Sequence, residues 1–133
     1  MSDGRPPPGV RIVGEYLRWG GILGVILVLP VMFLAWEKIA PFYKPPFDSA
    51  VVVGSVGVVS SVVMIALGFG ILRRKRWARI TAVTVCAVSV VIAPLVARPG
   101  PPVVVSVAGN LVGTLLFAAA LYGRRARDWF GIP

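Results

Sequence analysis

The chain has 133 residues, of which 57% are hydrophobic and only 14% are charged. Soluble domains contain about 45–50% apolar residues, so this composition excludes an ordinary soluble domain of the same size. The net charge of +9 comes from basic residues at the ends of apolar segments, which favours anionic lipid headgroups over nucleic acid as the partner. The sequence has no histidine and a single cysteine, Cys86, so it lacks the commonest metal ligand and general base and cannot form an internal disulfide.

The N-terminal region changes character before the first apolar block. Residues 1–10 are rich in proline and glycine, which predicts a disordered tail. A helix is expected to begin at the membrane surface over residues 11–18, where Arg11, Glu15 and Arg18 share one helical face. The apolar block that follows has no clean cleavage site, so we interpret it as a retained anchor.

Four charge-free stretches come next in the chain. Each matches the length of a membrane-spanning helix, about 17–25 residues. A soluble amphipathic helix would carry charges on its wet face, and valine-rich runs without polar–apolar alternation argue against barrel strands. The predicted spans cover about residues 17–36, 49–72, 78–97 and 103–123, inside a membrane domain of residues 11–125 that is followed by a C-terminal tail of residues 126–133.

The distribution of basic residues predicts the orientation. The N-terminal flank, the loop between spans two and three and the C-terminal tail carry three, five and three basic residues, eleven in all, whereas the two other loops carry only Lys38, Lys44 and Arg98. The positive-inside rule then predicts an inner- or plasma-membrane protein with both termini in the cytoplasm. The predicted fold is all-α, a four-helix membrane bundle made of two in–out–in hairpins.

Small residues recur within the predicted spans. Two pairs, one in the first span and one in the fourth, form GxxxG motifs, and such residues let helix backbones approach closely in lipid. Two interpretations remain open, because the same faces serve association with another protein or copy and packing within one bundle. The helix-packing candidates are Gly20, Gly24, Gly54, Gly57, Gly109 and Gly113.

Asn110 is the most polar side chain inside any predicted span, and Ser106 and Thr114 share its helical face. An amide in hydrocarbon must find hydrogen-bond partners. The stripe therefore predicts either one wall of a polar pathway or an interhelical hydrogen bond.

Basic residues cluster between spans two and three and again after span four. They are interpreted as a topology anchor, with a dock for an acidic partner or a specific anionic lipid as the alternative. The cluster comprises Arg73, Arg74, Lys75, Arg76, Arg79, Arg124, Arg125 and Arg127.

Residues that would support catalysis are scarce. No charged residue lies in the core of a predicted span, where proton relays and charged-substrate sites would need one. The sequence also has no CxxC, HExxH or GxSxG motif. These observations predict a non-enzyme without metal or cofactor. The functional hypothesis is a small accessory, assembly or scaffold subunit that packs against a larger membrane complex or itself, and the alternative is a small oligomeric channel, transporter or holin-like pore former.

The segment GFGILRRKRWAR at residues 68–79 resembles a Gly-x-Gly-x-Leu-basic-Trp-Ala-Arg turn. Many small four-helix membrane proteins of unknown function, frequent in GC-rich actinobacteria, carry this turn between spans two and three. The resemblance covers about residues 64–97 and implies the architecture without an activity. The chain lacks the mid-membrane glutamate of small multidrug exporters and the paired cysteines of four-helix quinone-linked thiol oxidases.

Overall fold

The computed structural model describes residues 4–133. The described chain forms four long α-helices and one short one: α1 (Pro8–Ile39), α2 (Ala50–Leu72), α3 (Arg76–Val96), α4 (Pro101–Tyr122) and α5 (Arg124–Trp129). A single turn of 3-10 helix, Ala40–Phe42, follows α1. The first four are long and apolar enough to cross a membrane. This confirms the predicted all-α, four-helix membrane fold, and the protein is a multi-pass membrane protein.

α1 begins earlier than predicted. Pro8 occupies the first turn, where the missing N–H of proline costs no helical hydrogen bond, and the Arg11 amide donates to the Pro7 carbonyl at 2.9 Å. Residues 8–10 are thus helical, although they belong to the predicted disordered tail, of which residues 1–3 lie outside the described part of the chain. The 32 residues of α1 span about 48 Å at 1.5 Å per residue, so α1 is longer than the hydrocarbon core of about 30 Å.

The helices alternate in direction and form two antiparallel hairpins. α1 packs mainly against α2, α3 packs against α4, and α2 also contacts α3. α1 meets α4 near the chain termini, where the rings of Tyr16 and Phe117 pack edge to face with centroids 5.9 Å apart. The bundle therefore has the circular order α1–α2–α3–α4.

The core lies at one end of this bundle. We call this end the basic end; it comprises residues 4–21, 64–82 and 117–133 and contains the α2–α3 turn and α5. Elsewhere the helices expose large apolar side chains, as expected where lipid tails replace water as the solvent. The buried hydrophobic residues of the described chain all belong to the basic end: Val10, Val13, Leu17, Leu67, Ile71, Ala78, Ala82, Leu121, Ala126, Trp129 and Phe130.

The opposite end of the bundle, which we call the loop end, is closed by contacts between the two loops. The Lys44 amide donates to the Val96 carbonyl at 2.9 Å, and the Arg98 amide donates to the Phe42 carbonyl at 2.8 Å. The Arg98 Nε atom also donates to the Tyr43 carbonyl at 3.0 Å. These bonds tie the α1–α2 loop to the end of α3, so the two hairpins are joined at both ends of the bundle.

The α2–α3 turn ends α2 with a left-handed residue. Arg74 has φ +60°, the Arg74 amide donates to the Ile71 carbonyl at 3.2 Å, and the Lys75 amide donates to the Gly70 carbonyl at 2.9 Å. This is the Schellman pattern, in which glycine normally occupies the left-handed position. A non-glycine residue there stores backbone strain of order 1 kcal/mol, and the surrounding contacts hold Arg74 in place.

Candidate functional sites: the α4 face and the basic end

The α1–α2 interface leaves no space for a side chain at several positions. A Cβ atom on Gly68 would lie 2.6 Å from the Arg18 nitrogen and 2.8 Å from the Gly14 carbonyl oxygen. A Cβ atom on Gly21 would lie 2.6 Å from the Ser61 carbonyl oxygen. Because these neighbours are backbone atoms, the two helices approach as closely as only glycine permits.

Four of the six glycines predicted to pack helices lie at this interface. A Cβ atom on Gly57 would lie 3.1 Å from the Val28 side chain, and one on Gly24 would collide with the Ser61 hydroxyl. That hydroxyl donates to the Gly57 carbonyl at 2.7 Å, inside its own helix. The four glycines at the α1–α2 interface are Gly20, Gly24, Gly54 and Gly57.

Three tight positions of the interface, Gly14, Gly21 and Gly68, are absent from the predicted set. Gly14 and Gly21 are seven residues apart on α1, and Gly54, Ser61 and Gly68 follow the same spacing on α2. A repeat of seven keeps residues on one face of a helix that packs against another. The predicted set includes Gly54 but not Gly14, Gly21 or Gly68, so most of this repeat was not predicted.

The second GxxxG motif, on α4, has no neighbour. A Cβ atom on Gly109 or Gly113 would find no atom within 4 Å. In α4 as a whole only Leu121, at the basic end, is buried. Gly109 is exposed and Gly113 is half-buried, and the α4 face that they form has space for a side chain at both positions within the described chain.

The polar stripe beside this face does not form one continuous contact. Ser106 is exposed, whereas Asn110 and Thr114 are half-buried. The Thr114 hydroxyl donates to the Asn110 carbonyl at 2.7 Å, which satisfies it within α4. Within residues 4–133 the Asn110 side-chain amide has no hydrogen-bond partner, so the predicted interhelical bond is not formed there.

A second open surface lies between α1 and α2 towards the loop end. It is an apolar groove of about 510 Å³. Its floor includes Gly54, and its walls include Leu29, Phe33 and Val58. Gly54 contributes no side chain to this groove, and a Cβ atom there would lie 3.4 Å from the Met32 side chain.

At the basic end, the segment predicted as a C-terminal tail folds back onto the α2–α3 turn. The Trp129 Nε1 atom donates to the Ile71 carbonyl at 3.4 Å, and the Arg74 guanidinium lies 4.0 Å from the centre of the Trp129 ring. The Arg76 Nε atom donates to the Phe130 carbonyl at 3.1 Å. Part of the predicted basic cluster thus has a structural role in holding α5 and the residues after it.

Arg79 is the one buried member of the basic cluster. The residue is 8% exposed, and its guanidinium carbon lies 4.3 Å from the Tyr122 ring centre and 5.7 Å from that of Phe130. Its Nε and Nη1 atoms are buried without a hydrogen-bond partner. The exposed members are Arg73, Arg74, Lys75, Arg76, Arg124, Arg125 and Arg127.

Few acidic side chains lie near the α4 face or the basic end. The ion pair recorded within residues 4–133 joins Arg18 and Glu15 at 2.6 Å, as their spacing on α1 suggests. The carboxylates of Glu37, Asp48 and Asp128 belong to exposed residues. In the same described residues no three metal-ligating side chains come together.

Comparisons with models of protein families, with curated proteins and with solved structures found no match to this chain. The resemblance of residues 68–79 to the actinobacterial four-helix proteins therefore stays a prediction. The structure itself identifies a four-helix, multi-pass membrane protein with one tightly packed helix pair and one helix whose small-residue face is open.

Proposed function

We propose that the protein is a non-catalytic assembly or scaffold subunit that associates within the membrane through the α4 face. The observation that carries the proposal is the empty surroundings of Gly109 and Gly113. Helices in lipid associate through close van der Waals packing at small residues. The chain uses its other glycine-rich face between α1 and α2, which leaves the α4 face for a larger membrane complex or a second copy.

Native mass measurement of the full-length protein in a mild detergent tests this proposal. We expect a species heavier than the monomer, formed by a second copy or a co-purifying membrane protein. The double substitution Gly109→Ile and Gly113→Ile should return the protein to a monomer, because the added side chains block close backbone approach.

A matched control places substitutions on another side of the same helix. Val104 and Leu115 are 68% and 62% exposed, and helical spacing puts both away from the small-residue face. Val104→Ile with Leu115→Ile should leave the assembly intact. A wild-type protein that is strictly monomeric without a partner would refute the proposal, and so would an assembly that survives both double substitutions.

A small oligomeric channel, transporter or holin-like pore former is the second candidate. The half-buried Asn110 amide favours it, because this amide has no hydrogen-bond partner in residues 4–133 and could line a polar path between protomers. Ion or dye flux from proteoliposomes should then fall in Asn110→Leu. Absence of flux, or flux that the substitution does not alter, would remove this candidate.

We also propose that the basic end faces the cytoplasm of an inner or plasma membrane, in contact with anionic lipid headgroups. Support comes from the eleven basic residues of the basic end, against three towards the loop end: Lys38, Lys44 and Arg98. Reporter fusions that are active only in the cytoplasm or only outside it test the orientation. Cytoplasmic activity is expected after Pro133 and external activity within residues 44–48.

A further inference from the structure

Arg79 is a buried cation without a counter-ion. It is the fourth residue of α3, which begins at Arg76, so it lies about 4.5 Å along the helix from the first residue. Only 8% of its surface is exposed, and its Nε and Nη1 atoms have no acceptor. Burying a charged donor without a partner is costly, so a group that supplies negative charge and acceptor oxygens is the missing component.

The two aromatic rings satisfy only part of this requirement. Tyr122 and Phe130 contact the guanidinium through their ring faces, at 4.3 and 5.7 Å from its carbon, and such contacts favour a cation. The N–H groups of arginine point outward in the guanidinium plane. Two of those donors remain unpaired despite the rings.

Two neighbouring cations have other partners, and within residues 4–133 neither forms an ion pair with a carboxylate. Arg74 lies against the Trp129 ring, and Arg76 donates to the carbonyls of Phe130 and Gly131. The ion pair of the described chain involves Glu15 and Arg18 on α1. The exposed Asp128 of α5 also belongs to the basic end but forms no ion pair within residues 4–133, so basic residues outnumber acidic ones around Arg79.

We propose that this part of the basic end is a binding site for a phosphate group, with Arg79 as its central donor. Phosphate matches the planar fork of arginine, and the positive end of the α3 dipole adds to the attraction. Because Nε and Nη1 are themselves buried, a phosphate that binds them must displace part of the surrounding side chains. It belongs either to a lipid headgroup at the membrane surface or to a small soluble molecule. The inference is independent of the assembly role of α4.

The test uses the full-length protein in nanodiscs of phosphatidylcholine, with and without phosphatidylglycerol. We expect phosphatidylglycerol to raise the thermal unfolding midpoint in a saturable manner. An equal amount of oleate, which carries a carboxylate instead of a phosphate, should raise it much less. A parallel titration with inorganic phosphate in detergent identifies the source: a saturable rise there indicates a soluble phosphate ligand, and its absence indicates the lipid.

Two substitutions separate a specific site from general surface charge. Arg79→Gln removes the central donor, and Arg125→Gln removes one exposed charge of the same end. The first should weaken phosphatidylglycerol binding about tenfold or more, as expected for loss of a charged hydrogen-bonded pair, and the second by less than about twofold. Arg79→Lys keeps the charge without the fork and should bind less tightly than wild type.

The wild-type lipid series tests the proposal even if the Arg79 variants do not fold. Equal stabilisation by phosphatidylglycerol and oleate would overturn it, because attraction would then follow charge alone. No stabilisation by phosphatidylglycerol or inorganic phosphate would also overturn it. Equal loss of binding in Arg79→Gln and Arg125→Gln would have the same consequence.

Discussion

The α1–α2 interface and the α4 face carry the same GxxxG spacing and use it differently. In α1, Gly24 lies against Ser61 of α2 in the same chain. In α4, a Cβ atom added to Gly109 or Gly113 would meet no neighbouring element within 4 Å. The difference teaches that a small-residue motif indicates a helix able to pack closely, but not which helix it packs against. In this protein one motif lies in a helix pair that also carries a seven-residue repeat of small residues, and the other lies on a helix face where an added Cβ would meet no atom.

The largest effect is expected from a substitution in the middle of the α1–α2 interface. In Gly68→Val the new side chain would meet the backbone of Arg18 and Gly14 at 3 Å or less, and backbone atoms cannot rotate away. Overpacking of this kind costs about 3 kcal/mol or more. We expect a large drop in resistance to denaturing detergent, measured by the loss of helical circular dichroism.

The matched control is the same substitution on the open face. Gly109→Val adds an equal side chain where no atom lies within 4 Å, so the free energy of unfolding of the monomer should change by less than about 0.5 kcal/mol. Similar losses in both variants would show that the two faces do not differ as described.

A smaller effect is expected where a side chain, not backbone, fills the space. A Cβ atom on Gly24 would collide with the Ser61 hydroxyl, which can rotate or be removed. Gly24→Ala should destabilise the bundle by about 1 kcal/mol, and Ser61→Ala should restore much of that loss. A double-mutant cycle measures the coupling, and purely additive effects would contradict the contact.

The smallest effect is expected at Asn110. Its side chain makes no hydrogen bond within residues 4–133, and interhelical hydrogen bonds in membranes contribute on average about 0.6 kcal/mol. Asn110→Leu should therefore change the unfolding free energy of the monomer by less than about 0.5 kcal/mol. A clear loss of stability in the monomer would instead support the interhelical hydrogen bond of Asn110 that the sequence suggests.

Much of the fold follows from the sequence because the bilayer imposes simple rules. A charge-free stretch of sufficient length becomes a helix, since its backbone groups have no water to bind. The structure agrees with the predicted spans closely at α2, which was predicted at residues 49–72 and runs Ala50–Leu72. It differs at α1, where Pro8 begins the helix inside the predicted disordered tail.

The sites were less predictable, because the spacing of residues along one helix does not show which residues of other helices contact them. The sequence marked Gly24 and Gly109 as equivalent, and it gave Arg79 the same role as the exposed Arg125. Only folding places Tyr122 and Phe130 around Arg79. Residues 126–133 were predicted only as a C-terminal tail, although Trp129 and Phe130 are buried at the basic end.

The sequence by itself determined four apolar helices, their two hairpins and the concentration of basic residues at one end, since hydrocarbon length and charge exclusion act on each segment separately. Only the tertiary structure decided which glycines are used and which arginine is buried. Those outcomes depend on distances between segments far apart in the chain. Backbone atoms of Arg18 and Gly14 leave no space for a side chain at Gly68. Gly113 also has small and apolar neighbours in the sequence, but a side chain there would have space.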